Sequence, residues 1–301
     1  FQNNAVNFML IKEITILLRP HQYIKNLFVL APIFFAGMAV DIHLLVQSLY
    51  AFIFFSLTAS SIYILNDIMD VEEDKAHPKK KNRPIARGSV PISAAWITFS
   101  VLMTVSLLGS WYVSVNLTYV LVAYILLNFF YSIGLKHYSI LDISMISVGF
   151  VLRIFAGSVV IETPPSMWII LMTFLLALFL AFAKRRDDVL LACKGLKTRK
   201  NINGYNLEFV NAAMIVMSSV IIVAYIFYTI SESVQVRLSA NYLYLTVFFV
   251  IIGILRYLQI TFVENNSGSP TRIILRDRFL QLIVALWALF FGFIIYGVRL
   301  L

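Results

Sequence analysis

Nine apolar runs, each near the length that crosses a bilayer, constrain what this chain can fold into more than any other feature. They fall at about 24–40, 44–65, 91–113, 117–134, 140–161, 166–184, 210–231, 241–262 and 278–298. Each is close to the roughly 20 residues that a helix needs to traverse the hydrocarbon core. Backbone polar groups in hydrocarbon must be satisfied within their own segment, so runs of this kind read as helices. The expected fold is all-α, a multi-pass membrane bundle of about nine transmembrane helices, with residues 1–301 forming one domain.

Composition agrees with that reading. Of 301 residues, 60% are hydrophobic and only 13% charged, with a mean hydropathy of +0.87; soluble chains carry about 25% charged residues. The net charge of +9 raises nucleic acid as a partner. The cations lie in loops between apolar runs, however, and membrane topology explains them, so no nucleic acid is expected. Only Arg237 and Arg299 stand on the short-loop side, against about twenty Lys/Arg on the other. That asymmetry puts the N-terminus and the long charged loops in the cytoplasm, with the protein in the inner (plasma) membrane. The opening residues carry no basic n-region and no A-x-A site, so no cleavable signal peptide is expected. Residues 8–19 form an amphipathic segment ending at Pro20, expected to lie on the membrane surface. One cysteine, Cys193, and four scattered histidines exclude a disulfide framework within the chain and a zinc site.

The chemistry concentrates between Ala59 and Gly88, where an apolar helix turns acidic and then basic. Asn66, Asp67, Asp70 and Asp74 share one face of a continuing helix, with neighbours three or four residues apart. Carboxylates so placed repel one another. A hard divalent cation removes the conflict, and oxygen ligands suit Mg²⁺ better than zinc or copper. Lys75, Lys79, Lys80, Lys81, Arg83 and Arg87 follow at once, which suits a multiply charged phosphate on the metal. The competing reading is a solvated helix end with a basic loop beside the membrane.

Other polar residues lie deep in the apolar runs. Asp142, Gly149 and Arg153 line one face of the fifth run, with Arg153 about 16 Å from its cytoplasmic end. A charge at that depth faces a polar cavity or pairs with a neighbour, so Arg153 either binds a ligand or forms an ion pair with Asp142. Lys25, beside Asn26 at the entrance of the first run, reads as an interfacial anchor or a ligand contact. The sixth run ends in Lys184, Arg185, Arg186, Asp187 and Asp188 at the same membrane level as the acidic face. Arg256 reads as a snorkelling cation, and Asp277 as a helix cap.

These pieces together resemble the UbiA-type intramembrane transferase superfamily. Within it the chain is most similar to the decaprenyl-phosphate phosphoribosyltransferases. The matching segments are Arg19 to Asn26 (RPHQYIKN), Asn66 to Ala86, Tyr131 to His137 (YSIGLKH), Gly149 to Arg153, Ala156-Gly157, Lys184-Arg185, Tyr205 and Leu275 to Leu282. The resemblance implies a cytoplasmic-side cap over the active site and transfer of a phosphoribosyl group from phosphoribosyl pyrophosphate to a polyprenyl phosphate, with pyrophosphate leaving. It assigns Asp67 and Asp70 to Mg²⁺, with Asn66 and Asp74 in support and Lys80 and Arg83 neutralising the leaving group. Lys25, Tyr131, Lys136, Arg153, Lys184, Arg185, Asp188 and Tyr205 are implied for the remaining substrate contacts. The acceptor phosphate is already an anion, so no general base is expected.

One departure bears on the donor. Superfamily members that transfer a prenyl chain carry a second D-x-x-x-D after the sixth span, for a second metal. Here the place reads KRRDDVLLACKG, with cations where metal ligands would stand. A donor with pyrophosphate at one end and a phosphate at the other suits one metal site and one Lys/Arg site. The alternatives are a prenyl-pyrophosphate transferase acting on an aromatic or other small acceptor, and a transporter of lipid or anion.

Overall fold

A computed structural model describes residues 11–76, 80–193, 195, 202, 204–268 and 270–297. Lys79, Lys194, Lys197, Arg199, Lys200 and Arg299 lie outside the described residues. The described residues form helices joined by short turns: α1 (residues 11–18), a 3-10 run Pro20–Leu30, α2 (Ala31–Phe35), α3 (Ile42–Met69), α4 (Val71–Ala76), α5 (Ile92–Val113), α6 (Val115–Ile133), α7 (Leu141–Val160), α8 (Met167–Cys193), α9 (Leu207–Ile230), α10 (Glu232–Leu238), α11 (Val247–Phe262), α12 (Pro270–Arg276) and α13 (Arg278–Gly292).

Among the described residues, eight helices are long and apolar enough to cross a membrane, against the nine expected. They are α3, α5, α6, α7, α8 and α9, then α11 with the 3-10 turn before it, and α13 continued through a π turn to Gly297. The discrepancy is the first apolar run. Instead of one α-helix it is the 3-10 run followed by the five-residue α2, with Pro20 and Pro32 near the start of each piece. Proline supplies no N–H and resists the interior of an α-helix, so it sits at such starts. The segment packs between α3 and α7, burying Asn26, Val29 and Ile33.

That packing depends on Gly157. A Cβ there would lie 1.9 Å from the Val29 carbonyl oxygen, so only glycine lets α7 touch the backbone of the first segment.

Two large apolar clusters fill the bundle. One joins the first segment, α3, α6 and α7 through Val29, Phe55, Leu117, Leu121 and Ala156. The other joins α8, α9 and α11 through Phe179, Val210, Met214 and Ile260. The outer surface is apolar as well, with Leu108, Trp111, Val223 and Phe248 exposed, as lipid-facing helices require. α1 departs from the expected free surface helix. Its Leu17 is buried with Ile64, Ile85, Val90 and Ala95, and Glu13 pairs with Arg87, so it is strapped over the end of α3. The acidic end of α3, the N-terminus of α7 and the charged end of α8 meet at one end of the bundle.

Candidate active site

At the end of α3 the helix nearly continues into α4: Asp70 donates its N–H to the Asn66 carbonyl at 2.9 Å, and Asp74 donates to the Asp70 carbonyl at 2.8 Å. The acidic residues therefore keep their shared face. Asp67 and Asp74 are buried, and each would be untenable without counter-charge. Arg83 bridges them, at 2.9 Å from Asp67 and 2.5 Å from Asp74. Arg19 donates to the same Asp67 oxygen at 2.5 Å, Lys80 stands 3.4 Å from Asp74, and Lys136 stands 3.7 Å from Asp70. Asn66 is fixed by Ser132, whose hydroxyl donates to its carbonyl oxygen at 2.8 Å. Four cations thus surround three carboxylates.

Arg19 is absent from the sequence-based site. Its sequence signals are its place at the head of the matching segment Arg19 to Asn26 and the dipeptide Arg19-Pro20, which disfavours the ordinary helical conformation at the arginine. The residue takes φ +56°, a left-handed conformation rare outside glycine, and this turns the chain between α1 and the 3-10 run. Backbone strain of this kind clusters at functional sites. A second case, Ile140 at φ +70°, lies in the other half of the site.

The acidic face fits a magnesium ion, on its own geometry. Asp67 Oδ2 is buried without a hydrogen-bond donor, and Asp74 Oδ1 has no hydrogen bond beyond its ion pair with Lys80 at 3.4 Å. Buried anionic oxygens lacking donors are rare and call for a cation. Among the described residues, no group of three or more His, Cys, Asp or Glu side chains is placed to cage a metal. That suits Mg²⁺, which binds through one or two carboxylates and keeps water and phosphate oxygens for its other positions.

The second half of the site is built around Asp142, fully buried at the start of α7. Arg185 of α8 reaches it at 2.7 and 2.8 Å and also reaches Asp188 at 2.6 Å. Tyr205 donates its hydroxyl to Asp142 at 2.6 Å and accepts from the Ile140 N–H at 2.7 Å. Burial, and then the hydrogen bond to Asp142, push the Tyr205 phenol well above its usual range, so it remains a donor. Tyr131 lies within electrostatic reach of Arg185. Lys184 is half-buried on α8, one turn before Asp188.

This arrangement bears on two of the sequence readings, excluding the ion-pair alternative for Arg153. Arg153 does not pair with Asp142, because that carboxylate is held by Arg185 and Tyr205. Arg185, expected at a phosphate, has its charge matched by two carboxylates. Arg153 instead donates to Asn26 at 2.9 Å, to the Gly149 carbonyl at 2.7 Å and to Tyr124 at 3.3 Å, with Phe55, Tyr124 and Phe150 around its guanidinium. Lys25 lies within electrostatic reach of Arg153 and Arg19.

Two further arginines hold helices together. Arg186 clamps three helices through Asn211, the Thr261 carbonyl and Asn265. Arg256 pairs with Asp277 and Glu264 rather than snorkelling alone, and Asp277 caps α13 by accepting from the Leu280 N–H at 2.7 Å.

Comparison with known proteins places the fold. The chain is 36% identical over 289 residues to a decaprenyl-phosphate phosphoribosyltransferase of Mycolicibacterium smegmatis, covering 92% of this chain and 91% of that one. A protein of the same name from Mycobacterium tuberculosis is 33% identical over 275 residues, with 90% of each covered. Among solved structures, a UbiA homologue from Archaeoglobus fulgidus bound to GPP and Mg²⁺ superposes with a TM-score of 0.66 at 18% identity, covering 93% of this chain and 98% of that one. Residues 27–262 match the UbiA prenyltransferase family, and the chain belongs to it.

Proposed function

We propose that this protein transfers a phosphoribosyl group from phosphoribosyl pyrophosphate to a polyprenyl phosphate, with the site at the cytoplasmic end of the bundle. One observation carries the choice of donor: among the described residues the site has one carboxylate face able to take a metal, and no second one. Asp188 is turned to Arg185, and Asp187 packs on Gly268, where a Cβ would stand 2.2 Å from its Oδ2. The two acids after the sixth span do not converge. The names borne by relatives 33–36% identical over nine-tenths of the chain support the same donor.

In this reading an acceptor phosphate oxygen attacks C1 of the ribose while the bond from C1 to the pyrophosphate oxygen breaks. Pyrophosphate departs with that electron pair. Asp67 and Asp70 would hold Mg²⁺, which when bound supplies positive charge where the leaving group becomes more negative. Asn66 and Asp74 keep the acidic face in register. Lys80 and Arg83, already at the carboxylates, lie where they can also neutralise the leaving phosphates. Lys136, Lys184 and Tyr131 are assigned to the sugar 5-phosphate, whereas Arg185 and Tyr205 fix Asp142 and Asp188 between them. The acceptor arrives ionised, so no side chain has to remove a proton.

A prenyl-pyrophosphate donor is the second reading, favoured by the family name and by a fold shared with structures that hold such a ligand. Competition binding to the purified protein with Mg²⁺ separates the two. Phosphoribosyl pyrophosphate is expected to bind at least tenfold more tightly than either pyrophosphate or ribose 5-phosphate, since both ends contribute. Tighter binding of geranyl pyrophosphate than of the sugar donor would overturn the proposal.

A further inference from the structure

Ile140 holds a backbone conformation that its own side chain opposes. It sits at φ +70° and ψ −47°, immediately before α7, where a β-branched residue is a genuine outlier. A helix start is ordinarily secured by a Ser, Thr, Asp or Asn side chain, and Ile140 has no such group to offer. A strained turn persists only where its surroundings over-determine it. Here they come from the connection that leads into α9. The Tyr205 hydroxyl accepts the Ile140 N–H at 2.7 Å and donates to Asp142 at 2.6 Å, so it is aimed by the carboxylate that Arg185 fixes. Tyr205 is itself buried, with its ring beside Phe209. Next to it, Gly204 rests on Ser139, whose Oγ would stand 1.9 Å from a Cβ. Two consecutive residues ahead of α9 are thus seated on the two that precede Leu141.

This clasp closes the connection between α6 and α7, residues 134–140. That connection carries Lys136, 3.7 Å from Asp70 on the acidic face, and it follows Ser132, which holds Asn66. It is tightly wound. His137 donates its N–H to the Gly134 carbonyl at 3.0 Å, Tyr138 to Leu135 at 3.2 Å and Asp142 to Tyr138 at 3.1 Å. A chain with so little slack passes a change at Ile140 back to Lys136, four residues earlier. Relaxation of Ile140 to negative φ would turn the chain that enters α7 and draw the lysine away from Asp70.

Resting on the reading above, in which Lys136 takes a donor phosphate, we infer that Tyr205 is a positioning residue for donor binding: it pins Ile140 in its strained turn and so holds Lys136 at the acidic face. Both polar contacts of the phenol oxygen go to the protein, so it acts on the donor through the backbone. The clasp also makes one unit of the two halves of the site. Arg185 fixes Asp142, Asp142 aims the phenol, and the phenol closes the loop that reaches Asp70. A lysine placed before the donor arrives loses less freedom on binding, which is a source of affinity.

The test uses the full chain in detergent with Mg²⁺. Tyr205→Phe keeps the ring and removes only the hydroxyl. Lys136→Met and the double variant complete a cycle, each with a thermal unfolding midpoint. Lys136→Met is expected to weaken phosphoribosyl pyrophosphate by roughly ten- to a hundredfold, the usual value of a charge-assisted contact, and Tyr205→Phe by about tenfold. The double variant should bind within about threefold of Lys136→Met, because a residue that acts through another adds nothing once that other is gone. Ile140→Gly added to Tyr205→Phe should recover most of the loss, since glycine takes φ +70° without strain. Glycine cannot restore the bond to Asp142, so an effect passing through that carboxylate predicts no recovery. Without ligand, hydrogen exchange of the peptide spanning residues 138–142 should be about tenfold faster or more in Tyr205→Phe, with α3 unaltered. Losses that multiply in the double variant would overturn the inference. Unchanged donor binding or unchanged exchange in folded Tyr205→Phe, or no recovery with Ile140→Gly, would overturn it too. If wild-type protein binds geranyl pyrophosphate and not phosphoribosyl pyrophosphate, and the same cycle and recovery appear with that ligand, the donor reading falls and the positioning role stands.

Discussion

Replacing Arg185 with methionine separates a residue that holds the site together from one that binds substrate. The side chains of Arg185 and Asp142 are each 1% exposed and meet at 2.7 Å, while Asp188 sits 2.6 Å away on the other side. Methionine fills much of the volume but leaves Asp142 charged and buried. Removing one partner of such a pair costs about 3–5 kcal/mol. Tyr205 still donates to Asp142 at 2.6 Å, so the lower end of that range applies. At the roughly 2–4 °C per kcal/mol found for chains of 150–250 residues, the expected fall in melting temperature is on the order of 6–12 °C. Scanning fluorimetry of the purified protein measures it. Adding Asp142→Asn should restore most of the loss, because the stranded charge is then gone. The Michaelis constant for the donor should change less than threefold in the double variant. A melting temperature within about 2 °C of wild type, together with a tenfold higher donor Michaelis constant in Arg185→Met, would refute the reasoning and make Arg185 a phosphate ligand.

Asp67→Asn should lower turnover roughly a hundredfold or more with the fold intact, since it removes charge where the transition state needs a metal; near-normal turnover with Mg²⁺ would contradict the assignment. Gly157→Ala should destabilise by about 2 kcal/mol, typical of an overpacked contact, because its Cβ meets the Val29 carbonyl at 1.9 Å; an unchanged melting temperature would contradict this. The Tyr205 phenol has a raised pKa when folded, from burial first and then from its bond to Asp142. Its stabilising contribution is therefore complete below the unfolded value of 10.0 and lost as pH rises through the folded one. Melting temperatures taken from pH 8 upward should accordingly fall less steeply in Tyr205→Phe than in wild type; equal slopes would remove this group from the alkaline limb.

Eight of the nine expected spans have a counterpart among the described residues, but the first apolar run shows where reasoning from hydropathy stops. Hydropathy counts apolar side chains and cannot distinguish an α-helix from a 3-10 run that carries Lys25 and Asn26 inward. The acidic face was legible because its residues are neighbours on one helix, and helical spacing fixes their geometry. Their cations were only partly legible. Lys80 and Arg83 follow within the same loop, whereas Arg19 reaches Asp67 across 48 residues, and nothing local announces that. The partner of Asp142 was not legible for a related reason. Eleven residues separate Asp142 and Arg153, so sharing a face still leaves them about 16 Å apart along the axis. The counter-ion comes from α8, and which helix packs against α7 is a property of the assembled bundle.

The central claim is the identity of the donor, and product analysis tests it most directly. Purified protein, Mg²⁺ and a polyprenyl phosphate are incubated with phosphoribosyl pyrophosphate labelled in the ribose, or with labelled geranyl pyrophosphate and a small aromatic acceptor. The account predicts that ribose label enters the chloroform phase, on a product heavier than the acceptor by one phosphoribosyl unit, with one pyrophosphate released per transfer. Intact phosphoribosyl pyrophosphate beside consumed geranyl pyrophosphate would contradict it.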